Sequence, residues 1–174
     1  DGPIWGHGWD ESGWQDRTAP TTADLDGLLG DRPAYLARVD VHSAAASTAL
    51  RSTVPGLTAA AGYHDQLPLT ADAHHLLRAA ARASLTPDQR REARVAALDL
   101  AARSGIAAVH ECAGPDIGGI DDWRELRALQ HGVEVVGYWG EAVTTAAQAR
   151  ELVDDVGVNG LAGDLFVDGA LGSH

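Results

Sequence analysis

The sequence predicts an α/β fold built on parallel strands, and three observations carry that expectation. Short β-branched and aromatic runs alternate with longer helical ones, the pattern of successive βαβ units. The helical runs begin at capping residues and stop at glycines. With 174 residues, 45% hydrophobic and 22% charged, the chain is long enough to bury a core and too apolar to stay disordered.

Taken in order, residues 3–9 and 33–41 are the first two extended candidates. Between them Thr22-Ala-Asp-Leu-Asp-Gly-Leu-Leu29 reads as a short helix closed by Gly30, and Pro33 forbids its continuation. An alanine-rich helix is expected over 43–52, followed by a Pro/Gly-punctuated loop over 54–69, the most flexible stretch by composition. The helix signals are strongest over 86–104. There Thr86 stands at the N-cap, Pro87 at the first helical position and Gln89 three residues after Thr86. Val95, Leu98 and Ala102 share one face of this helix, and Gly105 suits a left-handed end. A strand is expected over 106–110, a helix over 121–130 and a strand over 133–139. A capped helix from Thr145 to about Asp155 and a terminal strand near 163–168 complete three αβ units. Residues 71–174 thus carry the regular αβ units, and residues 1–70 are less regular.

Composition excludes several partners. Thirteen basic residues, all arginine, stand against 25 acidic ones, and the formal charge of −12 repels nucleic acid and anionic membranes. No apolar run approaches the ~18 residues of a membrane span. The single cysteine, Cys112, has no internal partner for a disulfide. These features predict a cytoplasmic protein, with open strand edges that favour homo-oligomers. Asp1 in place of Met, and a terminal strand with no covering helix after it, lead to the expectation of an internal piece of a longer protein.

Four blocks carry more than architecture: Gly8-Trp-Asp-Glu-Ser12, Arg38-Val-Asp-Val-His-Ser43, Gly105-Ile-Ala-Ala-Val-His110 and Phe166-Val-Asp-Gly-Ala-Leu-Gly-Ser173. In this order and spacing they resemble the amidohydrolase superfamily, in the branch that includes N-substituted formamide deformylase. The resemblance implies a partial (β/α)8 barrel, about strands two to four plus the insertion after strand one, with residues 1–70 an insertion-rich substrate-side region and the N- and C-terminal parts missing. It also implies a small-molecule substrate as the partner, and a divalent metal, zinc by preference, whose bound water attacks carbon–nitrogen bonds other than peptide bonds in amide or N-formyl substrates. Most of the family's ligands fall outside this sequence, which contains no His-x-His pair. The isolated chain is therefore expected to be inactive.

Within the sequence, Asp164 stands where the family commonly has a metal-binding lysine. It is either a direct carboxylate ligand or a solvated residue at a strand start. Asp168 before Gly169 resembles the family's Asp-Gly and is expected to hold the metal-site loop, with Glu111 as a second supporting group; for Asp-Gly, plain turn chemistry is the alternative. Trp9, Asp10, Glu11, His42 and His110 are the candidate substrate-binding residues. The tryptophan block supplies an aromatic wall, and the two histidines are expected at strand ends, where parallel barrels keep their chemistry. For the tryptophans, packing of the insertion is the alternative; for His110, a hydrogen-bonded packing role. His74 and His75 are adjacent in a helix and are expected at its surface, and His131 is expected at a helix end. Two other classes stay open: a carbohydrate-binding module or glycosidase using paired carboxylates, and a barrel relative without catalysis.

Overall fold

A computed structural model describes residues 2–162. They fall into two units, residues 2–86 and 87–162.

In the first unit, β1 (Ile4–Trp9) and β2 (Ala34–Arg38) pair in parallel, and α1 (Thr22–Leu29) connects them. The start of α1 is fixed by a reciprocal capping box between Thr21 and Asp24, and Gly30 closes its end. The expected alanine-rich helix over 43–52 is replaced by a short strand, β3 (Ala44–Ala46), antiparallel to β2, and by one helical turn, α2 (Thr48–Arg51). Alanine has high helix propensity, but propensity is a weak prior against tertiary packing. Ala44, Ala45 and Ala46 are almost wholly buried, and Ala44 and Ala46 pack in one cluster with Tyr35, Leu50, Leu69 and Leu77, where no larger side chain is needed. The Ser47 hydroxyl ends the strand by accepting from Ala34 N–H (2.9 Å) and donating to the Arg32 carbonyl (3.0 Å).

The segment 54–69 has only a 3-10 turn at Leu57–Ala59 and an antiparallel bridge from Leu69 to Ala44, yet it is anchored. Leu57 and Leu69 are buried, and Arg51 donates to the carbonyls of His64, Asp65 and Leu67 at 2.7–2.8 Å. Helix α3 (Ala71–Ala83) follows and buries Ala73, His74, Leu77 and Ala81 on this core. His74, expected at the surface, is thus one of the most deeply buried side chains described. The buried stripe of α3 runs 73, 74, 77 and 81, so His74 lies on the face that packs on the core.

The second unit begins with α4 (Pro87–Arg103), which ends at Gly105 with φ +77°, a left-handed value free of penalty for glycine. It continues with β4 (Ala108–Ala113), α5 (Gly119–Arg127), β5 (Glu134–Trp139) and α6 (Ala146–Val156). Strands β4 and β5 are parallel and in register from Ala108↔Glu134 to Ala113↔Trp139. Ala113, Trp123, Trp139, Val156 and Val158 form the core between sheet and helices. The Thr145–Gln148 capping box sets the start of α6, as its sequence predicts. After α6 the chain returns beside β5, where Gly160 makes a parallel bridge to Tyr138. The expected terminal strand lies outside the described residues. His131 is not at a helix end, because α5 stops at Arg127. It sits in the following connection, where Nε2 is 3.0 Å from Asp99 Oδ1 and Nδ1 accepts from Val133 N–H.

Candidate functional site

Parallel strands present ligands at their carboxyl ends, because the connecting loops there leave room and the adjoining helix starts face the same way. In the first unit this edge is formed by Trp9 and Arg38, which are register partners. Beyond Trp9 the chain makes a 3-10 turn at Glu11–Gly13; beyond Arg38 it makes the hairpin tip 39–43 that leads into β3. The candidates Trp9, Asp10, Glu11 and His42 therefore lie on one edge.

The two acids among them, Asp10 and Glu11, both lie against the Arg38 guanidinium. Arg38 holds Glu11 through two bonds, Nε to Oε2 at 3.0 Å and Nη2 to Oε1 at 3.2 Å, and donates from Nη1 to Asp40 Oδ2 at 2.8 Å. Asp10 Oδ1 lies 3.5 Å from the same guanidinium and accepts from Ser12 N–H. The hydrogen bonds from Arg38 push the Glu11 carboxyl below its ordinary range, and those from Ser12, with Arg38 adding, do the same for Asp10. Both shifts favour the ionised carboxylate. Trp9 is half-buried. Its indole N–H donates to the Leu36 carbonyl at 2.9 Å, and its ring lies 5.9 Å from the Arg38 guanidinium carbon and 6.3 Å from the Trp14 ring. His42 is exposed on the hairpin tip, with its backbone N–H donating to Asp40 Oδ1 at 3.1 Å.

In the second unit, His110 does not stand at a strand end. Residues 105–107 are used in leaving α4, with Ile106 N–H bonded to the Ala101 carbonyl, so pairing begins only at Ala108 and runs to Ala113. His110 is consequently mid-strand and exposed, stacked on Tyr138 with ring centroids 5.5 Å apart. Glu111 is its neighbour in sequence and so belongs to the opposite face of the pleat, the face on which Ala113 and Trp139 pack against the helices. His110 and Glu111 thus do not converge. Asp164 and Asp168 lie outside the described residues.

Arg38 is the residue the sequence reading passed over. Its signal in the sequence is a single cation, Arg38, opening the Arg38–Ser43 block of an acidic chain. Among the described residues no three His, Cys, Asp or Glu side chains gather to hold a metal ion. The residues described here therefore do not make the implied metal site. No described helix is long and apolar enough to cross a membrane.

Two solved structures share this fold. The chain aligns with an uncharacterized metal-dependent hydrolase from Pyrococcus horikoshii OT3 with a TM-score of 0.60 and 19% identity, over 94% of this chain and 32% of that one. It aligns with another from Pyrococcus furiosus with a TM-score of 0.56 and 21% identity, over 96% of this chain and 34% of that one. The chain thus spans about a third of each neighbour. No curated protein matches it significantly. The sequence matches the amidohydrolase family across residues 1–174, and the chain belongs to that family.

Proposed function

We propose that this chain is part of a metal-dependent hydrolase of the (β/α)8 type that cleaves carbon–nitrogen bonds other than peptide bonds, in amide or N-formyl substrates. The observation that supports it most is the gathering of Trp9, Glu11 and His42 at the carboxyl edge of parallel strands in a chain of the amidohydrolase family. In this reading a divalent metal, zinc by preference, is held by groups outside the described residues. Trp9 and Trp14 offer an apolar wall for the substituent on nitrogen. His42, exposed on the same edge, offers a polar contact.

The sugar-cleaving alternative loses support at the same place. A glycosidase needs one carboxyl kept protonated by a raised pKa. Asp10 and Glu11 are both shifted the other way.

The test is the full-length protein, assayed for metal content and for amine release from N-formyl and N-acyl amines. Expected is turnover that a chelator abolishes and zinc restores. A metal-loaded protein without turnover of either class would overturn the assignment. The isolated 174-residue chain should release no amine above a metal-only control.

A further inference from the structure

We propose that Arg38 is the positioning residue of the candidate edge, locking the turn after β1 to the hairpin tip after β2 so that Trp9 and His42 face substrate as one rigid wall. The proposal rests on the hydrolase reading, and its own evidence is geometric.

The first part of that evidence is the convergence on one side chain. Arg38 reaches Glu11 with a bidentate fork, Asp40 with a third N–H, and the Trp9 ring with its guanidinium face, while its own side chain is only 13% exposed. A planar guanidinium can do this from one position, and an ammonium cannot. Asp40 carries the link onward, because its second oxygen accepts from His42 N–H. The chain of contacts Glu11, Arg38, Asp40, His42 backbone is therefore unbroken across 31 positions of sequence.

The second part is that both segments depart from regular geometry where they meet. In β1 the register skips Gly8, which has φ +94°, so that Trp9 and not Gly8 lies opposite Arg38. Bulges of this kind re-aim a side chain. In the hairpin tip Val41 has φ +57°, a left-handed conformation that is unfavourable for a β-branched residue. Such strain persists only where surrounding bonds over-determine the backbone. Here those bonds are Val41 N–H to the Arg38 carbonyl, His42 N–H to Asp40 and the Arg38–Asp40 pair. Val39 and Val41 are both more than 40% exposed. Core packing therefore does not explain why the tip is held so firmly, whereas presentation of His42 does.

The experiment uses the full-length, metal-loaded protein and the variants Arg38→Lys, Glu11→Gln and Asp40→Asn. KM and kcat are measured on whichever N-formyl or N-acyl amine the wild type cleaves, with melting temperature and metal content as controls. Arg38→Lys should raise KM by about tenfold while kcat stays within about twofold, the mark of lost substrate placement without lost chemistry. Adding Glu11→Gln to Arg38→Lys should raise KM no further, since both act through one clamp. A lowered melting temperature with unchanged KM would reduce Arg38 to a structural tie and overturn the proposal. If the wild type cleaves no such substrate, the hydrolase reading fails and the clamp is judged by NMR. In Glu11→Gln the His42 backbone amide should shift together with the Trp9 indole N–H. A His42 amide that stays in place would overturn the clamp itself.

Discussion

The Tyr35 hydroxyl lies 2.9 Å from His74 Nε2 inside the first unit, where Tyr35 is 3% and His74 1% exposed. A neutral imidazole accepts this bond, and burial favours that state. Desolvation, with Arg78, His75 and His42 adding repulsion and Asp40 opposing, lowers the His74 pKa to about 4; burial raises Tyr35 to about 12.

A pH dependence of stability follows. His74 binds its proton at about pH 6.5 when unfolded and only near 4 when folded. Between these values the unfolded state holds more protons, so stability is complete above about pH 6.5 and falls as the pH drops towards 4. The loss is about 2 kcal/mol by pH 5, where the ordinary carboxylates have hardly begun to titrate. Urea unfolding at about pH 7.5 and 5 measures it. His74→Gln keeps an acceptor for Tyr35 and should flatten the dependence; an equal slope in that variant would assign it to other groups.

In the second unit a side chain at Gly137 would collide with the Trp123 ring, which fills the space over β5 and donates from its indole N–H to the Val156 carbonyl at 3.1 Å. Gly137→Ala is expected to destabilise by about 1–3 kcal/mol, as overpacking does when the neighbour is a rigid ring tied at its far end. Chemical denaturation with Trp123 fluorescence as a local reporter gives the value.

Much of the helical framework was legible because its signals are local. Thr21 with Asp24 and Thr145 with Gln148 cap α1 and α6 through residues three apart. Gly105 ends α4 with the backbone angle glycine alone adopts freely. What escaped the sequence depends on distant partners. Ala44–Ala46 is a strand because β2 lies beside it, and His74 is buried because Tyr35 awaits it 39 positions away. The candidate edge shows the same division. Trp9, Asp10, Glu11 and His42 were readable as a group, but the convergence of two acids on Arg38 spans 27 and 2 positions and has no local pattern.

Arg51 shows what such a long-range tie is worth. It is 8% exposed and supplies the hydrogen bonds that hold three carbonyls of the loop 64–67. Arg51→Met fills similar space but leaves those carbonyls without their donor, at an expected cost of about 2–4 kcal/mol. Arg51→Lys should recover only part, because a single ammonium cannot span the three acceptors. Proteolysis kinetics of this loop in the two variants, alongside their urea midpoints, separates local opening from global loss.

The expected metal ligand Asp164 lies outside the described residues, at a position where the family resemblance implies a lysine. If it ligates, its negative charge offsets part of the cation's, and an amide in its place does not. Asp164→Asn in the full-length protein should therefore lower metal stoichiometry and turnover together, with the circular dichroism spectrum unchanged. Asp168→Asn should leave the metal in place, since its expected part is to hold the neighbouring loop. Growth of metal loss with falling pH sharpens the comparison, because ligands must be deprotonated to bind. In Asp164→Asn one such carboxylate is gone, and the pH dependence of loading should become shallower. An Asp164→Asn protein that keeps wild-type metal, rate and pH profile would remove Asp164 from the metal ligands.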